Sequence, residues 1–192
     1  MKYALVVLAT LAVLGLLALV FPYTGLYDVA ADGEHSGLEE WYLSTLSARS
    51  IRARAGGIAV PAELADSARV ARGAVAFSQM CRTCHGAPGR ERSVTGQGMA
   101  PTPPRLSEAA AEWEPEEVYW ILAHGIKMAG MPAYGPTHSD EELWELVAFV
   151  ESLPEMTPER YEALAAPPST AEGASTDSTA RPLADDGHDH VH

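Results

Sequence analysis

The chain predicts an all-α fold, and three observations carry that prediction. Apolar residues recur at i, i+3 and i+4 in three stretches between Asp66 and Val150. A capping or first-turn signal opens each stretch. No segment sustains the strict alternation of a half-buried strand.

The first element stands apart from these. From Tyr3 to Phe21 the chain is uncharged and almost wholly Leu, Val and Ala. At about 1.5 Å per residue, a helix of that length spans the roughly 30 Å hydrocarbon layer of a bilayer. Residues 1–22 therefore read as a transmembrane anchor. Lys2 is the only charge before it, which places the N-terminus in the cytoplasm and the rest of the chain outside. A cleaved signal peptide with Val29-Ala30-Ala31 as its cleavage site is the competing reading; the apolar run exceeds the 7–15 residues of a signal core.

Residues 23–59 read as a connector, partly helical. Ser36-Gly37-Leu38-Glu39 has capping-box spacing, and Trp41, Tyr42, Leu43 and Leu46 line a helix ending at Gly56-Gly57. Such a helix either rests on its own globular domain or serves as an arm that docks on a partner or the lipid surface. Arg49 and Arg52 share one of its faces.

Residues 60–158 read as the compact domain. Its first helix starts near Asp66 or Ser67, turns Val70, Gly73, Ala74 and Phe77 toward the core, and delivers Cys81. The Gly/Pro-rich stretch from Gly86 to Pro104 is too broken for regular structure. Pro115 suits the first turn of a second helix carrying Val118, Tyr119, Ile121 and Leu122, which Gly125 ends. Ser139-Asp140-Glu141-Glu142 opens a third through Leu143, Trp144, Leu146, Val147, Phe149 and Val150, stopping before Pro154. Residues 159–192 turn to Ala, Ser, Thr, Pro and Gly and read as a disordered tail. The tail ends with His188, His190 and His192, a tract that can bind metal or stay solvated.

Charge narrows the function classes. With 13 basic and 26 acidic residues the formal net charge is −13, which argues against a nucleic-acid partner, since phosphate binding needs Lys and Arg. The compact domain holds 14 acidic and seven basic residues, net −7, yet Arg82, Arg90, Arg92 and Arg105 gather in one stretch. The domain is acidic overall and locally positive there.

That stretch contains the strongest chemical signal, Cys81-Arg82-Thr83-Cys84-His85. Two cysteines at this spacing form thioethers to two vinyl groups of a porphyrin, and the next residue supplies an axial imidazole: this is the pattern of covalent haem attachment. A zinc site needs more soft ligands, and the chain has only these two cysteines. A thioredoxin-like thiol pair expects a βαβ setting that the pattern does not offer. For the second axial position, Met131 sits between Gly130, which lets the backbone approach closely, and Pro132, which stiffens the loop. Met128, Met99 and His124 are the alternatives; packing is the competing role for the two methionines, and a core hydrogen bond for His124. His35 and His138 fall in loops with no partner the sequence reveals. Leu106, Trp120, Ile121 and Tyr134 are candidates for an apolar lining that keeps water off the iron. Trp113 and Arg105 either bond the haem propionates or are exposed on the surface.

Taken together, residues from about Val60 to Pro154 resemble the class I c-type cytochromes, most closely their small membrane-anchored monohaem members. Gly73 and Phe77 before Cys81 look like the family's first helix, and Leu146 and Phe149 like the last helix that crosses it. Pro104-Arg105-Leu106 resembles the segment whose proline carbonyl accepts a hydrogen bond from the proximal histidine, and Gly130-Met131-Pro132 the loop bearing the distal sulfur ligand. The resemblance implies one covalent haem c, held by Cys81 and Cys84 and ligated by His85 and Met131, and no catalysis of its own. The implied role is that of a single-electron carrier between a redox-protein donor and acceptor of a respiratory or related chain, on the periplasmic side of the cytoplasmic membrane. A haem-based gas or redox sensor, a haem peroxidase using His124, and the cytochrome subunit of a larger oxidoreductase complex are the other readings.

Overall fold

The structure, a computed structural model, describes residues 2–33 and 36–166. His35 and the histidines of the tail therefore lie outside the described residues.

Among the described residues there is no β-strand; two isolated antiparallel bridges, Ala87 with Arg90 and Ile126 with Met131, close tight loops. The apolar N-terminal segment is a single helix, α1 (Lys2–Val20), followed by a 3-10 turn over Phe21–Tyr23. None of its residues is buried, as expected of a helix whose surroundings are not protein. In length and composition it passes for a membrane span, a test that signal sequences near an N-terminus also pass.

The connector contains α2 (Gly37–Ala55), opened by a complete capping box: the Ser36 hydroxyl accepts from the Glu39 amide, and the Glu39 carboxylate accepts from the Ser36 amide. Only its last turns rest on the globular domain. Ile51 and Ala55 are buried, whereas Leu38, Trp41, Tyr42, Leu43 and Leu46 are exposed, so a helix lying along its whole length on the domain is not what forms.

The domain is organised by α3 (Ser67–Met80), whose N-cap Asp66 accepts from the Ala68 and Arg69 amides, and α8 (Asp140–Ser152), opened by the Ser139/Glu142 capping box. The two cross with their backbones in near contact. A Cβ on Gly73 would lie 2.0 Å from the Glu145 carbonyl oxygen and 2.8 Å from the Phe149 Cβ. One turn further on, Phe77 and Phe149 pack with ring centroids 4.9 Å apart. Arg69–Glu141 and Arg72–Glu145 ion pairs flank the crossing on its solvent side. These partly exposed pairs add little stability beside the buried apolar contacts.

Helix α7 (Pro115–His124) packs on α8, burying Val118 and Leu122, and α2 packs on α7. Tyr119 stacks on Trp144 at 4.4 Å and donates to Asp140 at 2.7 Å, tying the two helices at the surface. The broken stretch before Pro104 is more ordered than its composition suggests. Ser93 caps a one-turn helix, α5 (Val94–Gln97), because its hydroxyl accepts from the Gly96 amide. A second such turn, α6 (Leu106–Ala109), follows Pro104-Arg105.

The reading of residues 159–192 as a tail needs correction at its start. Thr157 caps α9 (Pro158–Ala165), with Pro158 at its first position. Tyr161 is fully buried, its ring edge-on to Phe77 at 6.2 Å and near Phe149 at 6.1 Å. The segment is poor in apolar residues, but Tyr161 seated against the main crossing, with Leu164 and Ala165 beside the core and an Arg90–Glu162 ion pair, holds it.

Two substitutions test this frame. Gly73→Ala must push α3 away from α8 backbone, and the unfolding free energy should fall by about 1–3 kcal/mol, read by reversible thermal melts; an unchanged melting temperature would contradict the close crossing. Tyr161→Ala should cost about 3–5 kcal/mol, the range for truncating a buried aromatic, and a neutral result would mean that α9 is not part of the folded unit.

Candidate functional site

The site grows from the end of α3. Cys81 is its C-cap, its amide donating to the Phe77 carbonyl at 2.9 Å. The chain then continues as a single further turn, α4 (Arg82–His85), held by Cys84 and His85 amides that both donate to the Cys81 carbonyl. Two residues between the cysteines and a helical turn put both thiols on one side and His85 directly after them. Gly86 ends the turn at φ 72°, where a side chain would collide with the Arg90 carbonyl oxygen.

The surroundings of Cys81 do not suit a reactive thiol pair. Cys81 is buried, and burial, with a smaller contribution from Cys84, pushes its thiol up to about 12. A thiol that remains protonated at neutral pH is a poor nucleophile and a poor zinc ligand. Among the described residues no group of three His, Cys, Asp or Glu side chains could hold a metal ion.

His85 is oriented by one bond. Its Nδ1 lies 2.9 Å from the Pro104 carbonyl oxygen, which makes Nδ1–H the donor and leaves Nε2 with its lone pair free. Burial is the main influence on this imidazole and lowers its pKa, keeping the ring neutral; the nearby Arg92 guanidinium acts in the same direction, against the Pro104 bond. A neutral ring with a fixed tautomer is the form that binds a metal. Pro104 reaches His85 because α5 is clamped to α4: Ser93 donates to the Thr83 carbonyl through both amide and hydroxyl, and Gly96 lies where a Cβ would meet the Cys84 carbonyl oxygen at 2.7 Å.

The second loop follows α7. Gly125 ends that helix at φ 64°, so close to the returning chain that a Cβ would lie 2.6 Å from the Met131 carbonyl oxygen. The Ile126 amide donates to the Met131 carbonyl, and the Tyr134 and Gly135 amides donate to Leu122 and Ala123 carbonyls of α7. Met131 is thereby held half-buried against the core, with Tyr134 beside it. Met128, in contrast, is 97% exposed and points away from the core at φ 61°, so packing is not its role. Met99 belongs to this side too: its Cε would lie 2.6 Å from a Cβ on Gly130.

Cys81, Met131 and Tyr134 belong to one core cluster, and burial, with smaller contributions from Cys81 and Cys84, raises the Tyr134 hydroxyl pKa. Leu106 is half-buried and packs against the core, and Trp120 and Ile121 are half-buried on α7. His124, expected to face the core, is exposed and packs against Trp120 with ring centroids 4.7 Å apart. His138 has partners that the sequence did not reveal: its Nδ1 lies 2.9 Å from the Thr137 hydroxyl and 3.3 Å from the Tyr134 carbonyl oxygen.

The basic residues divide into two groups. Arg52 of α2 lies 5.5 Å from the Trp113 ring centroid and 3.6 Å from the buried Glu117 carboxylate, so Trp113 is engaged in holding α2. Arg92 and Arg105 line an open groove with Pro104, Glu108 and Glu112. Arg105 pairs with Glu91, while Arg92 Nε is buried and makes no hydrogen bond. The sequence placed Arg92 in a basic cluster but could not show that its Nε is enclosed, because an arginine in a Gly/Pro-rich loop carries no periodic signal. A buried, unbonded guanidinium N–H beside a histidine with a free Nε2 and two free thiols fits a planar, anion-bearing iron porphyrin.

The comparisons with known proteins agree with this geometry. Residues 68–150 match the family model described as cytochrome c oxidase, cbb3-type, subunit III, a range that begins in α3 and ends in α8. No curated protein and no solved structure matches the chain. The helical crossing, the Cys-x-x-Cys-His turn and the family match together make this domain a class I c-type cytochrome domain, the kind that carries electrons on covalently bound haem c.

Proposed function

We propose that the chain is a membrane-anchored monohaem cytochrome c that shuttles single electrons between two redox proteins. The observation that supports this best is the 2.9 Å contact from His85 Nδ1 to the Pro104 carbonyl, which leaves Nε2 alone for iron, directly after both cysteines. When bound, haem c supplies a one-electron Fe(III)/Fe(II) couple.

Cys81 and Cys84 would form the thioethers, and His85 and Met131 would bind the iron; a methionine thioether, soft and neutral, would favour Fe(II) and raise the potential. Leu106, Trp120, Ile121 and Tyr134 exclude water, and the backbone of Pro104 holds the imidazole. Arg92, joined by Arg105, receives the propionates. With both side chains bound to the iron no place would remain for a substrate, which favours transfer over catalysis.

α1 confines the domain to the cytoplasmic membrane, with the haem outside. Confinement raises the effective concentration of a carrier near integral donors and acceptors. The family match supports a second, compatible setting: a cytochrome subunit within a membrane oxidase of a respiratory chain.

Two measurements decide the proposal. The purified, matured protein should keep its colour in the protein fraction after acid-acetone extraction, with one iron per chain; extractable haem would sink it. Met131→Ala should lower the reduction potential by on the order of 100 mV and let carbon monoxide bind the reduced protein, which the parent resists. Tight carbon monoxide binding by the parent itself would favour a gas sensor.

A further inference from the structure

One apolar surface is not used by the fold. On α2, Leu38, Tyr42 and Leu46 follow one another at four-residue spacing and form one stripe, with Trp41 beside it; all four are exposed, Leu38 at 73%. At about 100° per residue, Tyr42 lies on the opposite side of the helix, about 180° round, from Ile51, which is buried on the globular domain. Arg49, also exposed, continues the stripe seven residues after Tyr42. The domain is held on the far side by Ile51, Ala55 and the Arg52 contacts to Trp113 and Glu117. α2 therefore has one face committed to the cytochrome domain and an apolar face without a partner among the described residues.

We propose that this stripe lies in the headgroup boundary of the bilayer and is a second membrane contact, which sets the height and tilt of the cytochrome domain. The inference rests on the reading of α1 as a retained span. Three observations select lipid as the occupant. Tyr27 lies near the Glu39 carboxylate in the first turn of α2, whose charge helps raise the tyrosine's pKa. Tyr27 follows the end of the Phe21–Tyr23 turn by four residues, a reach of at most about 14 Å, so the start of α2 is tethered close to the membrane end of α1. Trp41 and Tyr42, with Tyr23 and Tyr27, are the aromatic types that settle at headgroup level. Arg49 ends the stripe with a cation suited to lipid phosphate, as on interfacial helices. Glu39 borders the stripe, but its carboxylate is bonded to the Ser36 amide and hydroxyl.

The test uses the full, haem-loaded chain in phosphatidylcholine vesicles. Single variants Leu38→Cys, Tyr42→Cys and Leu46→Cys carry a nitroxide label, with Leu14→Cys in α1 and Val94→Cys on the cytochrome domain as references. Val94 is 85% exposed, and all the α2 positions are exposed, so the substitutions leave packing intact. Spectra are recorded on the reduced, diamagnetic protein. Oxygen should relax the labels at 38, 42 and 46 more than a water-soluble nickel chelate does, with the ratio reversed at 94. If those three labels behave like position 94 while position 14 stays lipid-exposed, the anchor stands and the second contact is overturned. Shielding of the three from both reagents overturns it in favour of a protein contact, a second copy or a partner subunit. A water-accessible label at 14 removes the anchor reading, and this inference with it.

Discussion

The close approach of α3 and α8 at Gly73 is the constraint from which the rest follows. A Cβ there would have to sit 2.0 Å from the Glu145 carbonyl oxygen, so only glycine lets the backbones touch. Contact at that level brings Phe77 against Phe149 and leaves a slot that Tyr161 fills from α9. With α3 held at its middle and near its end, Cys81 has one position at its tip. The turn carrying Cys84 and His85 hangs from the Cys81 carbonyl, so its position is inherited from the helix crossing.

What the crossing does for the cysteines, backbone hydrogen bonds do for His85 and Met131. His85 is fixed by a carbonyl rather than a carboxylate, which sets the tautomer without placing a negative charge beside the ring. Met131 is fixed by the return of its loop along α7, through bonds to Leu122 and Ala123 carbonyls that belong to the neighbouring Tyr134 and Gly135. Neither residue depends on a flexible polar side chain to hold it. Small structural change between oxidation states is what a fast one-electron carrier requires, and residues anchored through the backbone suit the proposed role.

Several acids of α7 and α8 are engaged locally, in caps and ion pairs: Glu142 on Ser139, Glu117 on its own cap and Arg52, Glu141 and Glu145 on α3 arginines. Arg92 and Arg105 lie beside Pro104 in a groove that Glu108 and Glu112 also line, so both signs of charge meet there. Electrostatic steering of a redox partner depends on such local charge more than on the net value.

Local chemistry made much of this protein legible from its residues alone. The haem-attachment turn, the boundaries of α7 and α8, the capping box of α2 and the apolar helix α1 depend on spacing within a few positions, and short-range rules describe such features well. Tertiary structure decided what depends on residues distant in the chain. α9 exists because Tyr161 finds Phe77, 84 positions earlier, and its polar composition hid that contact. α5 forms because Ser93 and Gly96 meet the carbonyls of α4. Arg52 claims Trp113, and Arg92 encloses its Nε near His85, where no periodicity marks either one. α2 has its helical signal written in sequence, but which of its faces is covered was settled by where α7 lies. Periodicity shows that a helix has an apolar side; only packing shows what, if anything, lies against it.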